Sequence, residues 1–265
     1  MKTSSSVFLT IHDVGSSYNS WVNFTSHEDM KEVKDRSLFL HICMPGQQAE
    51  EDNLSPDYMF PSMQMLGMNL VTVLDQLQIS RVMVLGDGAG ANIACRFAMC
   101  HPSRVHGVVL INCNPDKGGS GILNMFKGGR KDSKGEEIHK LNMKNVSKYE
   151  DSYRKRDEII SILAIKMKTE TLLLTGAKSR DVKGSEDVHR QIRTGICSII
   201  KLEDVDNVLE EAEEKVADAM ILFFQGAGLV PTVQRKISRK MSNTTKELNE
   251  EGDDPKLNMT RYAYH

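Results

Sequence analysis

The stretch RVMVLGDGAGANIACRFAMCHP, from Arg81 to Pro102, constrains the fold more than any other part of the chain. An apolar run ends in three closely spaced glycines, Gly86, Gly88 and Gly90, and a helix-like pattern follows at once. Such a pattern is typical of a buried strand that turns sharply into a helix, because glycine lets the backbone turn where a larger residue would clash. It therefore predicts a strand–turn–helix unit.

Five further segments have the composition of buried strands, and helix-like segments separate them. The strand-like segments are residues 7–15, 37–46, 105–115, 169–176 and 195–202, and the clearest helical patterns cover residues 63–79 and 206–225. In the first of these helices, Met65, Met68, Leu70, Val73, Leu74 and Leu77 recur near helical spacing. Apolar strands that alternate with helices predict an α/β fold, a mostly parallel sheet with helices on both faces. Functional loops in such sheets lie beyond the carboxyl ends of the strands.

Composition excludes several classes of protein. The 265 residues suit one large domain, and the net charge of −2 argues against a surface committed to nucleic acid, so no nucleic-acid partner is expected. The five cysteines are odd in number and scattered, which is typical of a reducing compartment. No apolar run is long enough to span a bilayer or to form a signal-peptide core. These features predict a cytoplasmic protein.

Two regions interrupt the α/β pattern. Residues 116–169 form a glycine- and charge-rich insertion, and residues 117–156 hold 11 Lys or Arg against 5 Asp or Glu. This segment could contact an anionic membrane surface, or it could be a solvated loop. Residues 229–265 are basic first and then acidic, with few core-forming residues, which predicts a disordered tail. The expected domain therefore covers residues 1–228.

Three interpretations of the glycine elbow are open. Gly86, Gly88 and Ala91 match the dinucleotide pattern G-x-G-x-x-G/A, but the next strand ends in asparagines where that pattern expects a ribose-binding acid. The glycines could also be only a turn within an α/β core. The third interpretation is the G-x-S-x-G elbow of a serine hydrolase, in which Gly88 stands at the position of the nucleophile.

The loop after the first strand supports the hydrolase interpretation. It reads IHDVG and includes His12, Asp13 and Gly15. This is similar to the loop that supplies one amide of the oxyanion hole in these enzymes. The insertion at residues 116–169 lies where such proteins carry a lid.

The remaining catalytic positions lack the required side chains. Ala177 and Lys178 stand where the acid is expected, and Asp181 comes a few residues late. The loop after the last strand reads EDVDNV where a histidine is expected, and His189 precedes that strand on a predicted surface helix. A triad needs all its members within hydrogen-bond reach of each other. The sequence therefore predicts a degenerate, non-catalytic hydrolase scaffold without metal or cofactor.

Two residues near the elbow could replace the missing nucleophile. Asp87 precedes the apex, where its side chain is not aimed at the oxyanion site, and Cys95 lies on the following helix, where a packed thiol is the usual outcome. We therefore assign neither a catalytic role. The alternatives to a non-enzymatic protein are a residual or unconventional hydrolase and a binder of phosphoinositide or another membrane surface.

Several segments together resemble the N-myc downstream-regulated (NDRG) family, non-catalytic relatives of the α/β hydrolases. They are TIHDVG, HICMPGQQ, FPSMQMLG, the stretch from Gly86 to Pro115, DSYRKRDEI and FFQGAGLVPT. The resemblance covers most of residues 7–242 and implies an α/β-hydrolase fold. It also implies a cytoplasmic signalling protein with protein partners, linked to stress response, differentiation and vesicle traffic. The lid region is shorter and richer in Lys and Gly than is typical of the family.

The basic part of the tail contains two candidate phosphorylation sites. Ser238 and Ser242 each have Arg three residues before and Lys two residues before, as basophilic kinases require. A phosphate adds about −1.5 to −2 charge at neutral pH. We therefore expect phosphorylation to change the contacts of this cationic segment. The tail lacks the repeated phosphorylation segments of the family.

Overall fold

A computed structural model describes residues 6–117 and 141–230, together with the backbone of residues 263 and 264. Its strands are β1 (Ser6–Ile11), β2 (Ser37–Ile42), β3 (Val82–Asp87), β4 (Val105–Ile111), β5 (Thr171–Gly176) and β6 (Cys197–Leu202). They form a parallel sheet in the order β2-β1-β3-β4-β5-β6. A two-residue strand β7 (Ala263–Tyr264) pairs in parallel with the outer edge of β6. The predicted α/β architecture is confirmed.

Helices cover both faces of the sheet. In the described residues they are α1 (Asn19–Thr25), α2 (Lys31–Arg36), α3 (Met63–Gln76), α4 (Ala89–Cys100), α5 (Met143–Arg154), α6 (Ile160–Lys166), α7 (Val182–Gln191), α8 (Val208–Glu211) and α9 (Glu213–Gly226). Successive strand residues point to opposite faces, so Leu9 and Val84 lie in one hydrophobic cluster, while Phe8 and Met83 lie in the other. Each such side chain contributes about 1.5–3 kcal/mol when fully buried.

Helix α3 buries fewer of its apolar residues than their spacing predicts. Ser62 caps it by accepting a hydrogen bond from the amide of Met65, and Leu70 and Leu74 are buried. Met65 and Met68, grouped with them by spacing, are 53% and 47% exposed. The apolar residues therefore extend beyond the face that contacts α4.

The predicted helix over residues 206–225 is two helices. The break falls at Ala212, whose backbone angles are φ −147° and ψ 39°. Asn207 caps the short helix α8, which buries Val208 and Leu209, and α9 buries a separate set of apolar residues in the same cluster. The chain stays packed beyond residue 228, because Val230 is 8% exposed in that cluster.

The described part of the insertion is helical. Asn142 caps α5 by accepting from the amides of Lys144 and Asn145, and Leu141 forms an isolated bridge with Ala49. The predictions for residues 118–140, for residues 231–262, and for Ser238 and Ser242 lie outside the described residues. Within the described ranges, every helix is too short or too polar to cross a membrane.

Candidate functional site

The elbow after β3 is a sharp turn at Gly88. Strand β3 ends at Asp87, Gly88 has φ 53° and ψ −113°, and α4 begins at Ala89. A side chain at Gly90 would place its Cβ 2.2 Å from the carbonyl oxygen of Ile11. Glycine is therefore required at this turn, both by a positive φ and by close approach of the backbone.

A carboxylate occupies the space in front of Gly88. A Cβ added to Gly88 would lie 2.2 Å from Cγ of Asp13. Oδ1 of Asp13 accepts hydrogen bonds from the amide of Ala89 at 2.7 Å and from the amide of Val14 at 2.8 Å. The Asp13 carboxylate thus stands where any side chain at position 88 would begin.

These two amides have the positions of an oxyanion hole. In a G-x-S-x-G elbow, the hole consists of the amide that follows the nucleophile and an amide from the loop after another strand. Ala89 and Val14 hold those positions here, and both amides bind one oxygen of Asp13. The sequence assigned His12, Asp13 and Gly15 to this loop but missed that the Asp13 side chain itself fills the hole.

Burial governs the protonation of the site. It raises the pKa of Asp13 to about 6, although the two amide bonds act in the opposite direction. Burial, followed by the negative charge of Asp13, raises the pKa of Asp87 well above its usual value. Two neighbouring carboxyl groups in a poorly solvated site are costly to ionise together. The pair therefore holds protons to higher pH than free carboxyl groups do.

Most of the chain matches a known protein family. A match to the Ndr family covers residues 1–129 and 131–231. This chain belongs to the Ndr family. Protein NDRG1-A of Xenopus laevis is 32% identical to it over 90% of this chain and 68% of its own length. An uncharacterised protein of Caenorhabditis elegans is also 32% identical, over 91% of this chain and 83% of its own length.

Solved structures show the fold that this Ndr-family chain shares with hydrolases. A hydrolase from Pseudomonas aeruginosa superposes with a TM-score of 0.68, at 16% identity, over 83% of this chain and 90% of its own. A carboxylesterase of Nitrososphaera gargenis gives 0.69, at 15% identity, over 84% and 91% of the two chains. At this level of identity the likeness shows the α/β-hydrolase fold and nothing of the activity.

His12 of this Ndr-family chain is a buried structural residue. Its Nε2 accepts a hydrogen bond from the amide of Met44 at 3.2 Å, so Nδ1 carries the proton and donates to the carbonyl of Asp13 at 2.8 Å. Burial lowers the pKa of His12 to about 4, so the ring is neutral at physiological pH. The hydroxyl of Tyr149, from helix α5 of the insertion, donates to the carbonyl of His12 at 3.3 Å. These bonds fix the loop that presents Asp13.

The predicted acid and base positions have other partners. Lys178, after β5, forms an ion pair with Asp204 at 3.1 Å, while Asp181 accepts a hydrogen bond from Asn114 at 2.9 Å. In the loop after β6, Asn207 caps α8. His189 lies on helix α7, away from the strand end where the base is expected. The side chain that the described residues place in front of Gly88 is therefore that of Asp13.

Cys95, the thiol nearest in sequence to the elbow, is not placed to act as a nucleophile. Cys95 is fully buried on α4, and burial raises the pKa of its thiol well above the usual value. A buried thiol with a raised pKa is a poor nucleophile, because the thiolate is the reactive form. Over residues 6–117 and 141–230, no group of three or more His, Cys, Asp or Glu side chains is placed to hold a metal ion.

Proposed function

We propose that this protein is a non-enzymatic binding protein, an adaptor that uses a hydrolase scaffold without hydrolysis. The single observation that supports this is the Asp13 carboxylate, which takes both oxyanion-hole amides and the space of a side chain at Gly88. An acyl substrate needs a nucleophile and those amide donors at one carbon atom. Here Gly88 offers no nucleophilic atom and the donors are engaged.

Membership of the Ndr family supports the same proposal. We propose a cytoplasmic location and a signalling role, with links to stress response, differentiation and vesicle traffic, on the family resemblance. We also propose that other proteins bind the chain and that phosphorylation of Ser238 and Ser242 modulates this binding. A phosphate on each serine would largely neutralise the positive charge of this basic segment.

An activity measurement tests the absence of hydrolysis. Purified full-length protein is assayed with short p-nitrophenyl esters and labelled with a fluorophosphonate probe, beside an active esterase. We expect no turnover above buffer and no covalent label. Turnover that disappears in Asp87→Asn, with an unchanged circular dichroism spectrum, would overturn the proposal.

A binding measurement tests the adaptor role. The full chain, a chain ending at Val230, and the variant Ser238→Ala/Ser242→Ala are compared in affinity capture from cytosol with quantitative mass spectrometry. The cut follows Val230 because that residue is packed in the core. We expect partners that depend on the tail and on phosphate at the two serines. No specific partner with any form would contradict the adaptor role.

A further inference from the structure

A second concave site includes Arg96, which lies about two turns along α4 from the elbow. This cleft has a volume of about 340 Å³ and lies between the segment 58–64 and helix α5 with the residues that follow it. Its charged lining residues are the cations Arg96, Lys148, Lys155 and Arg156 and the acids Asp151 and Asp157. The cleft therefore carries an excess of two positive charges.

Arg156 is buried in this cleft with part of its guanidinium unbonded. The residue is 3% exposed, its Nη1 donates to the carbonyl of Tyr153 at 2.7 Å, and its Cζ lies 3.8 Å from the centre of the Tyr153 ring. Nε and Nη2 have no hydrogen-bond partner among the residues that the structure describes. These two nitrogens share one edge of the guanidinium, the edge that binds a carboxylate or phosphate with two parallel hydrogen bonds.

Arg96 gives the cleft a second cation that is fixed in place. It is 3% exposed, and Nε and Nη1 donate to the side chains of Asn92 and Gln64, each at 2.9 Å. Nη2 donates to the carbonyl of Asp157. Arg96 is therefore held by neutral acceptors, and its charge is not cancelled by any of these bonds.

Two buried arginines on one cleft make it favourable for an anion. Burial, with the charge of Arg156 adding to it, lowers the pKa of Arg96, as is expected where like charges share a poorly solvated site. A buried polar group without a partner is rare in folded proteins and calls for an explanation. We propose that this cleft binds a phosphate monoester, and that the side chain of Arg156, which lines the cleft, turns on binding so that its buried Nε and Nη2 atoms hold two of the phosphate oxygens.

The charge and shape of the cleft favour this class of ligand. A phosphate monoester carries about −1.5 to −2 charge at neutral pH, which matches the excess of two positive charges better than one carboxylate does. Tyr58, Met59 and Phe60 line the same cleft and offer apolar surface to the organic part of the ester. The volume lies in the range of small-molecule sites, which is roughly 300–1,000 Å³. The ester could be a free metabolite or the headgroup of a lipid.

The proposal is independent of the absence of hydrolysis, because the cleft and the elbow share none of the residues named here. The test is calorimetric titration of the full-length protein with phenyl phosphate at constant ionic strength, with phenol as the uncharged control. We expect saturable binding of phenyl phosphate and none of phenol. Absence of saturable binding overturns the proposal.

Three variants locate the binding. Arg156→Gln removes the unpartnered edge of the guanidinium, and we expect it to weaken binding by about tenfold or more, since a charge-assisted pair of hydrogen bonds is lost. Lys155→Gln changes an exposed residue of the cleft and should weaken binding by about threefold. Lys144→Gln is the matched control, because Lys144 is an exposed cation of helix α5 that does not line the cleft. Unchanged affinity in Arg156→Gln, or equal affinity in Lys155→Gln and Lys144→Gln, contradicts the proposal.

Vesicles distinguish the two sources of the ester. The protein is floated with phosphatidylcholine vesicles that contain phosphatidic acid, whose headgroup is a phosphate monoester, and with vesicles that contain phosphatidylserine instead. If the protein floats only with the phosphatidic acid vesicles, and Arg156→Gln abolishes this flotation, the ligand is a lipid headgroup. Binding of phenyl phosphate without flotation identifies a free ester. If the protein floats with both kinds of vesicle, and Arg156→Gln does not change this, the cleft is not the binding site.

Discussion

The elbow and the cleft both include residues of helix α4, and they differ in whether their hydrogen-bond donors have partners within the chain. At the elbow, two amides that could bind an external anion are bound by the chain's own Asp13 carboxylate. In the cleft, Arg156 keeps two buried donor atoms without a partner among the described residues. The two amide donors of the elbow therefore have an acceptor within the chain, whereas two donors of the cleft have none in its described part.

This difference shows where binding of a further molecule is favourable. A buried donor without a partner costs about 1–3 kcal/mol, and a ligand that bonds to it recovers that cost. At the elbow the same gain is already made within the fold, so an external anion would have to displace Asp13. The scaffold thus keeps the sharp strand-to-helix turn at Gly88, while the donors without partners in the described ranges belong to Arg156, which follows helix α5.

The largest effect is expected from filling the space in front of Gly88. Gly88→Ala places a Cβ 2.2 Å from Cγ of Asp13, at a positive φ, and should reduce the free energy of unfolding by roughly 3 kcal/mol. Adding Asp13→Gly should restore part of this loss, because the steric part of the cost disappears. Denaturation in urea measures both variants.

Gly90→Ala is the control for this pair. Its Cβ would meet the backbone carbonyl of Ile11, which no side-chain deletion can remove. Asp13→Gly should therefore leave the cost of Gly90→Ala unchanged. If the effects of Gly88→Ala and Asp13→Gly on the free energy of unfolding are additive, the two residues are not coupled. The Asp13 carboxylate then does not occupy the space in front of Gly88.

The next effect concerns the pH dependence of stability at the elbow. The pKa of Asp13 rises from 3.8 to about 6 on folding, so the folded state binds this proton more tightly than the unfolded state does. Its contribution to stability is full below pH 3.8 and is lost as the pH rises through 6. By linkage, the stability of the wild type relative to Asp13→Asn should fall by about 3 kcal/mol over that interval.

His12 acts in the opposite direction over an overlapping range. Its pKa falls from 6.5 to about 4 on folding, so its contribution to stability is full above 6.5 and is lost as the pH falls through 4. The comparison with Asp13→Asn cancels this contribution, since both proteins retain His12. A difference in stability that stays constant with pH would contradict the raised pKa of Asp13.

A smaller effect separates the two arginines of the cleft. Arg96 has three acceptors, whereas Arg156 leaves Nε and Nη2 without one. In a buffer without phosphate, Arg96→Met should therefore destabilise the fold by about 2 kcal/mol more than Arg156→Met, because hydrogen bonds to charged groups contribute roughly 1.5–3 kcal/mol. Equal losses in chemical denaturation would show that Arg156 is as well bonded as Arg96.

The smallest effect is expected from thiol labelling along α4. Cys100 is exposed at the end of the helix, and Cys95 is buried one and a half turns earlier. Iodoacetamide should modify Cys100 in the native protein and Cys95 only after unfolding, as mass spectrometry of peptides can show. Modification at the exposed site should change the free energy of unfolding by less than about 0.5 kcal/mol. Rapid labelling of Cys95 would mean that the elbow region opens.

The sequence alone determined the architecture. Each predicted strand segment coincides with an observed strand. Strand Ser6–Ile11 begins one residue before the predicted segment 7–15, and Cys197–Leu202 lies within the predicted segment 195–202. Such predictions succeed because apolar runs and turn glycines are local signals that act on the backbone next to them. The break at Ala212 was missed, because it depends on how two short apolar faces reach one cluster and not on a local breaker.

Only the tertiary structure decided what the two sites contain. Asp13 meets the amide of Ala89 across 76 positions of sequence, and Arg96 meets the carbonyl of Asp157 across 61. The residue types were visible in the sequence: an Asp after His12, and a glycine at the position of a nucleophile. The distances between these groups were not visible in the sequence. Side chains far apart in sequence meet only when parallel strands align and the insertion folds over them. Local chemistry fixed the turn, and long-range packing fixed which donors are filled and which stay open.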